Sequence, residues 1–185
     1  MVNQDRIEKA MVEIISSIGD DPGREGLIET PHRVAKMYAD FFSGLSQDPK
    51  EVLGTSFEDE HQDIVIFRDI PFFSICEHHF LPFFGEAQIG YVPNGRVVGA
   101  SKLSRALDIL AHRPQMQERL TDQLVDTIYE AVHPRGVAAV LKAEHMCVSL
   151  RGVEKPGSKV VTSSSKGSLR TQAGARSEFL ALLSA

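Results

Sequence analysis

Cysteine is scarce in this chain: two among 185 residues. That is too few for a disulfide framework, and in a reducing compartment such cysteines serve as thiols or metal ligands. Long apolar runs are missing as well. Nowhere does a stretch reach the ~20 residues needed to span a bilayer. The opening "MVNQDRIEKAM" lacks the basic-then-apolar order of a secretory signal. A cytoplasmic protein with no membrane partner is the expectation. Positive charge is not in excess either. A formal net charge of −5 disfavours a general nucleic-acid binder, so any anion site must come from clustered basic residues. No G-x-G-x-x-G or G-x-S-x-G occurs. "GVEKPGSK" approaches a phosphate-binding loop but reverses the required order at Ser158 and Lys159, and β-branched residues follow where a helix should. There is no internal repeat, and Ser163, Ser164 and Ser165 form the single low-complexity patch.

What is present suits one globular domain with a core of its own: 42% hydrophobic and 24% charged residues. Ile7, Met11, Ile14, Ile15 and Ile18 fall at helical spacing, with Gly19 as a stop. A second helix is predicted with Thr30 as N-cap, Pro31 in the first turn, Val34, Met37, Tyr38 and Phe41 on one face, and Gly44 at its end. From Ile64 to about Pro93 the chain is β-branched and aromatic, interrupted at "CEHH", and "RVVGAS" continues that character. Ser101 is expected to cap a helix carrying Leu103, Ala106, Leu107 and Leu110, and Pro114 to open another with Leu120, Leu124 and Ile128. A strand-like run from Gly136 to Leu150, a turn at "EKPG", the segment "KVVTSSS" and a last helix "ARSEFLALL" complete the chain. The order αα, ββ, αα, ββ, α predicts an α+β fold with an antiparallel sheet and a helical pair between strand pairs. An N-terminal helical region over 1–60 and a catalytic region over 61–185 would form one domain.

The first chemical signal is "CEHH". Cys76 and His79 have the C-x-x-H spacing by which a short turn offers a thiolate and an imidazole to one ion. Two ligands do not make a stable site. The second cysteine, Cys147, lies in "KAEHMCVSLRG", two residues after His145 and four before Arg151. If that run is a strand, the three side chains share a face. Cys76, His79, Cys147 and one of His78 or His145 would then converge. The bland alternative makes Cys147 a buried small hydrophobe and His145 a core histidine. A second signal is basic. Lys102 and Arg105 sit three apart at a helix start, where free N–H groups also favour anions. Arg33 and Lys36 repeat the spacing. Each pair alone reads as a solvated helix face; with Arg151 near the metal candidates, a polyphosphate pocket comes into view.

Taken together, "ETPHRVAKMY", "CEHHFLPFFGEAQIGYVP", "VVGASKLSR", "RPQMQERLTDQL" and "EHMCVSLRGV" closely resemble GTP cyclohydrolase I, the zinc enzyme family that opens pteridine synthesis. The similarity runs from about Glu29 to Leu180. It implies the tunnelling fold, with antiparallel strands and a helical pair between them. It also implies a homo-oligomer, a decamer of two five-subunit rings with sites at subunit interfaces. Cys76, His79 and Cys147 would hold Zn2+, with His78 and His145 as acid–base groups beside it. Ser101, Lys102, Arg105 and Arg151 match triphosphate- and ribose-contacting positions. Arg33 and Lys36 match basic positions supplied by a neighbouring subunit, and Gln117 and Glu118 match the guanine-recognising pair.

The implied reaction converts GTP and water to 7,8-dihydroneopterin triphosphate and formate, and the residue types suit it. Three protein ligands leave a fourth zinc position for water and acidify it toward a pKa of ~7. Histidine titrates near neutrality and can protonate the ring nitrogen as carbon 8 is attacked. An ionised Glu118 can accept both the ring N–H and the exocyclic amine of guanine. Two other readings remain at this point. A closed, non-catalytic zinc module would use His78 or His145 as fourth ligand. A nitrile reductase of the same fold would use a cysteine nucleophile and need no zinc.

Overall fold

The computed structural model describes residues 2–184. Helix α1 (Gln4–Ser17) begins at Asn3, whose side chain accepts the Arg6 N–H at 3.0 Å. It stops at Gly19, which takes a φ of +89° that an L side chain avoids. Helix α2 (Thr30–Phe41) packs against it, with His32 Nδ1 2.9 Å from Glu8 Oε1. Thr30 is the first helical residue, not the cap. Glu29 holds the cap position without a side-chain hydrogen bond, and Pro31 lies in the first turn as predicted. Of the predicted stripe on α1 only Ile15 is buried, while Ile14 and Ile18 are exposed. Gly44 does not end α2. It sits in the 3-10 turn Ser43–Ser46, where a Cβ would come within 2.0 Å of the Ile109 carbonyl oxygen, so that turn packs directly on the helix Ala100–Ala111.

The remaining elements are β1 (Ser56–Glu58), β2 (Val65–Cys76), β3 (Pro82–Val92), β4 (Arg96–Val98), α3 (Ala100–Ala111), β5 (Pro114–Gln115), α4 (Gln117–Val132), β6 (Gly136–His145), α5 (Met146–Ser149), β7 (Val160–Gly167), α6 (Ser168–Thr171) and α7 (Ala173–Ser184). The main sheet has the order β5-β2-β3-β6-β7. Its four long strands pair antiparallel, and β5 adds a two-residue parallel pairing to the end of β2. The fold class is therefore α+β, with helices α3 and α4 between the second and third long strands, as expected. β1 and β4 form a separate antiparallel ribbon.

Side-chain alternation explains how the sheet meets the helical pair. Ile70 and Phe72, Phe83, Ala87, Ile89 and Tyr91, and Val137, Ala139, Leu141 and Ala143 are all buried on one face. Leu103, Ala106, Leu107 and Leu110 of α3 and Leu120, Leu124 and Ile128 of α4 complete that core. Each large side chain fully buried there contributes about 1.5–3 kcal/mol relative to exposure. On the opposite face Phe179 of α7 packs with Ala138 and Leu169, while Phe73, Phe84 and Val161 are exposed. The serine patch is part of strand β7, at the end of the sheet.

Three further local expectations differ from the structure. Ser101 does not cap α3. Gly99 holds that position, its carbonyl accepting the Lys102 N–H at 2.8 Å, and Ser101 lies inside the first turn. Pro114 does not open α4, because Pro114 and Gln115 extend beside β2 and the helix starts at Gln117. The run from Gly136 to Leu150 is not one strand: β6 ends at His145 and the chain coils into the one-turn helix α5.

Candidate active site

Strand β2 ends on Cys76, and the next four residues close a tight turn. The Phe80 N–H donates to the Cys76 carbonyl at 2.9 Å and the Cys76 N–H to the Leu81 carbonyl at 2.9 Å. Phe80 takes a φ of +53° to allow this. Its ring lies edge-on to Tyr38 and Phe42, which anchors the turn to α2. The turn stacks His79 beside Cys76, with Nδ1 3.8 Å from Sγ. Helix α5 brings Cys147 to the same place, its Sγ 3.9 Å from that of Cys76. Strand parity was thus the wrong reason for linking Cys147 to His145; the helical turn is what delivers the thiol.

One ligating atom from each of Cys76, His79 and Cys147 lies within 4.8 Å of the others. A tetrahedral zinc with Zn–S ~2.3 Å and Zn–N ~2.0–2.1 Å requires S···S of about 3.8 Å and S···N of about 3.6 Å. The two spacings from Cys76, 3.9 Å to Cys147 Sγ and 3.8 Å to His79 Nδ1, are close to these, and the donor set suits zinc. Burial pushes the Cys147 thiol pKa up, and the neighbouring Cys76 sulfur adds to this. Two sulfurs this close want a cation between them. Arg151 acts on Cys147 in the opposite sense, so its charge is felt at the cluster.

His145 closes β6 beside the cluster. Its ring stacks flat on Phe83, centroids 4.5 Å apart with 4° between planes. Nε2 lies 2.8 Å from Gln117 Oε1. Gln117 is buried, and its amide nitrogen is 3.1 Å from the Leu141 and Val160 carbonyl oxygens and from Thr162 Oγ1. Those carbonyls only accept, so the amide nitrogen must face them and the amide oxygen must face the imidazole. His145 therefore carries a proton on Nε2, leaving Nδ1 as the lone-pair nitrogen of the neutral ring. Burial pushes the His145 pKa down, and the Glu118 carboxylate opposes that. His78 points to solvent, 58% exposed, with Nδ1 4.0 Å from Cys76 Sγ.

Not every predicted residue is drawn in. Lys102 and Arg105 stand in the first two turns of α3, with Ser101 between them and the cap. Arg33 and Lys36 are exposed on α2, and among the described residues neither forms an ion pair. The Gln117 side chain is committed inside the subunit, whereas Glu118 is exposed one residue on.

Two arrangements escaped the sequence reading. Glu77, inside the metal turn, accepts two hydrogen bonds from Arg119 of α4, at 2.5 and 2.9 Å. Glu144 of β6 accepts from Ser149 Oγ at 2.6 Å and from the Gly157 N–H at 2.9 Å, tying the loop after α5 to the sheet. Both bonds to Glu144 hold its carboxyl below the usual range. Glu77 stands within "CEHH" and Arg119 within "QMQER", so position beside site residues was the available signal.

Comparison with known proteins agrees with this geometry. Residues 7–184 match the GTP cyclohydrolase I family. A GTP cyclohydrolase 1 of Caldanaerobacter subterraneus subsp. tengcongensis is 54% identical over 184 residues, covering 99% of this chain and 98% of the relative. That of Thermoanaerobacter pseudethanolicus is 53% identical, again over 99% and 98%. The Geobacillus kaustophilus GTP cyclohydrolase 1 is 52% identical over 100% of this chain and 98% of its own. A match of this length and identity, on a chain whose Cys-His-Cys cluster can hold a metal, means that the protein belongs to the GTP cyclohydrolase I family.

Proposed function

We propose that this chain opens the imidazole ring of GTP at a zinc site held by Cys76, His79 and Cys147, and rearranges the product to 7,8-dihydroneopterin triphosphate with release of formate. The protein is a GTP cyclohydrolase, acting at the first step of folate and pterin synthesis. The observation that carries the finer reading is the convergence of three soft ligands at tetrahedral spacing beside a histidine of defined tautomer.

Zinc, when bound, supplies Lewis-acid activation of a water that is otherwise too poor a nucleophile for carbon 8. Cys76 and Cys147 as thiolates and His79 as a neutral imidazole neutralise the dication. His145 presents Nδ1 toward the reaction and exchanges the proton needed at the purine ring nitrogen, while Gln117 holds Nε2–H and the ring plane. Gln117 is accordingly a positioning residue for His145, and Glu118 accepts the ring N–H and amine of guanine. His78, exposed at the rim, is the second proton carrier, serving the formyl release or the steps that follow. Lys102, Arg105 and Arg151 bind the triphosphate, and Ser101 the ribose.

Arg33 and Lys36 complete the site of a neighbouring subunit in a decamer of the tunnelling fold. Exposure of Phe73, Phe84 and Val161 on the sheet and of Ile14 and Ile18 on α1 supports association. So does the free edge of β7. Incubating metal-loaded protein with GTP, and following formate together with a fluorescent pterin after oxidation, tests the reading. Four protein ligands on the bound zinc, or formate release unaffected by metal removal, would overturn it.

A further inference from the structure

Glu77 and Arg119 form a two-point ion pair between the metal turn and the first turn of α4. Nη1 lies 2.5 Å from Oε2 and Nη2 2.9 Å from Oε1. The pair lies outside the roles assigned above, yet each member sits inside the machinery. Glu77 separates the ligand Cys76 from His78. Arg119 follows Glu118 directly, and its Nη2 also reaches Met116 Sδ at 3.5 Å. As a stabilising element such a pair is minor, because both side chains stay in contact with solvent, 27% and 44% exposed.

Nor does the metal turn need the pair for its own shape. Backbone bonds from Phe80 to Cys76 and from Cys76 to Leu81 close it, and the Glu77 N–H donates to the Gln115 carbonyl at 3.0 Å. What the fork adds is direction. A planar guanidinium on a carboxylate fixes angle as well as distance, and this one fixes the start of α4 relative to the turn.

We infer that Glu77 and Arg119 act as a register clamp, a positioning pair that sets the separation between the metal cluster and Glu118. This rests on the reading above, in which Glu118 takes the pyrimidine edge of guanine while carbon 8 faces the cluster. Guanine is a rigid plane, and these two sites grip its opposite ends. If the helix start drifts, the base can satisfy Glu118 or reach the metal, and not both. Misplacement of a reacting atom by about 1 Å costs on the order of 10²-fold in rate.

The test uses the full-length zinc enzyme and two substrates, GTP and inosine triphosphate, which lacks the exocyclic amine. Arg119→Ala and Glu77→Gln are expected to keep stoichiometric zinc and the wild-type Tm. Their kcat/KM for GTP should fall roughly 10–100-fold, and their preference for GTP over inosine triphosphate should shrink. Arg119→Lys, with charge but no fork, should fall between. Combining Glu77→Gln with Arg119→Ala should add little to either single change, because the two act as one unit. Glu118→Gln is the control for the underlying reading. If it leaves the GTP preference intact, Glu118 does not read the base, and the clamp falls with it. If Glu118→Gln abolishes the preference while Arg119→Ala and Glu77→Gln retain wild-type kcat/KM and preference, base reading stands and the clamp alone is overturned. Zinc loss in Arg119→Ala also overturns it, since the pair would then support ligand binding itself.

Discussion

The metal end of the sheet and the N-terminal helical hairpin show two ways of building a functional surface. At the metal end, Cys76, His79, Cys147 and His145 come from three elements and a turn and are organised within one chain, down to the amide that orients the imidazole. On the hairpin, Arg33 and Lys36 stand exposed with no partner among the described residues, beside a helix whose Ile14 and Ile18 are also in solvent. A lone subunit thus gathers the Cys-His-Cys cluster and orients the imidazole beside it, whereas its basic helix has no such partners among the described residues. Low-dielectric chemistry demands fixed partners; a charged substrate can be gripped by groups that meet it across an interface.

The largest effect should come from the metal end. Cys76→Ser, His79→Ala and Cys147→Ser each remove one of the three proposed ligands and should lose both zinc and turnover. A fall of at least about 10³-fold is expected, the upper scale for loss of one group stabilising a transition state. Atomic emission on the purified variants checks this, and stoichiometric zinc in any of them would break the ligand assignment. Next comes His145→Ala, which should retain zinc and lose roughly 10²–10⁴-fold in kcat as a proton-transfer group. Gln117→Ala should follow with about 10–100-fold, because it disturbs only the orientation of that ring.

The hairpin offers a sharper contrast. Arg33→Ala should keep zinc in full and lose most of its GTP turnover, and mixing it with inactive Cys76→Ser protein should restore activity if subunits exchange. Sedimentation of a fully active monomer would erase the contrast between the regions. The smallest effect concerns acid. Glu144 titrates below its ordinary value of 4.5 because it accepts from Ser149 Oγ and the Gly157 N–H. A depressed carboxyl contributes stability that is complete above the unfolded pKa and is lost as pH falls through the folded one. Wild-type Tm should therefore fall more steeply than that of Glu144→Gln on acidification from about pH 5 to pH 3. Parallel curves would show that this tie adds nothing.

The helical pair α3 and α4 was legible because its apolar residues recur every three or four positions, a signal confined to one turn of chain. C-x-x-H was legible for the same reason, since only Glu77 and His78 separate Cys76 from His79. Helix starts were read less well. Thr30, Ser101 and Pro114 all carry the right chemistry for a start, and in each case the chain found another solution within one to three residues. Pro114 was drawn beside β2 by tertiary pairing, which no local propensity reports.

By itself the sequence determined the types of the main elements, the core-facing stripes of α3 and α4, and the family, all of which rest on local spacing or on long colinear motifs. Only the tertiary structure decided how Cys147 reaches Cys76 across 71 residues, by coiling at Met146 where strand alternation was expected. It also decided that Gln117 turns inward to His145, 28 residues away, and that Arg119 grips Glu77, 42 residues back. Such contacts depend on the register of β3 on β6 and on where α4 enters the sheet. Those are properties of the packed whole, because a hydrogen bond requires atoms about 3 Å apart, and no spacing along the chain specifies that distance between separate elements.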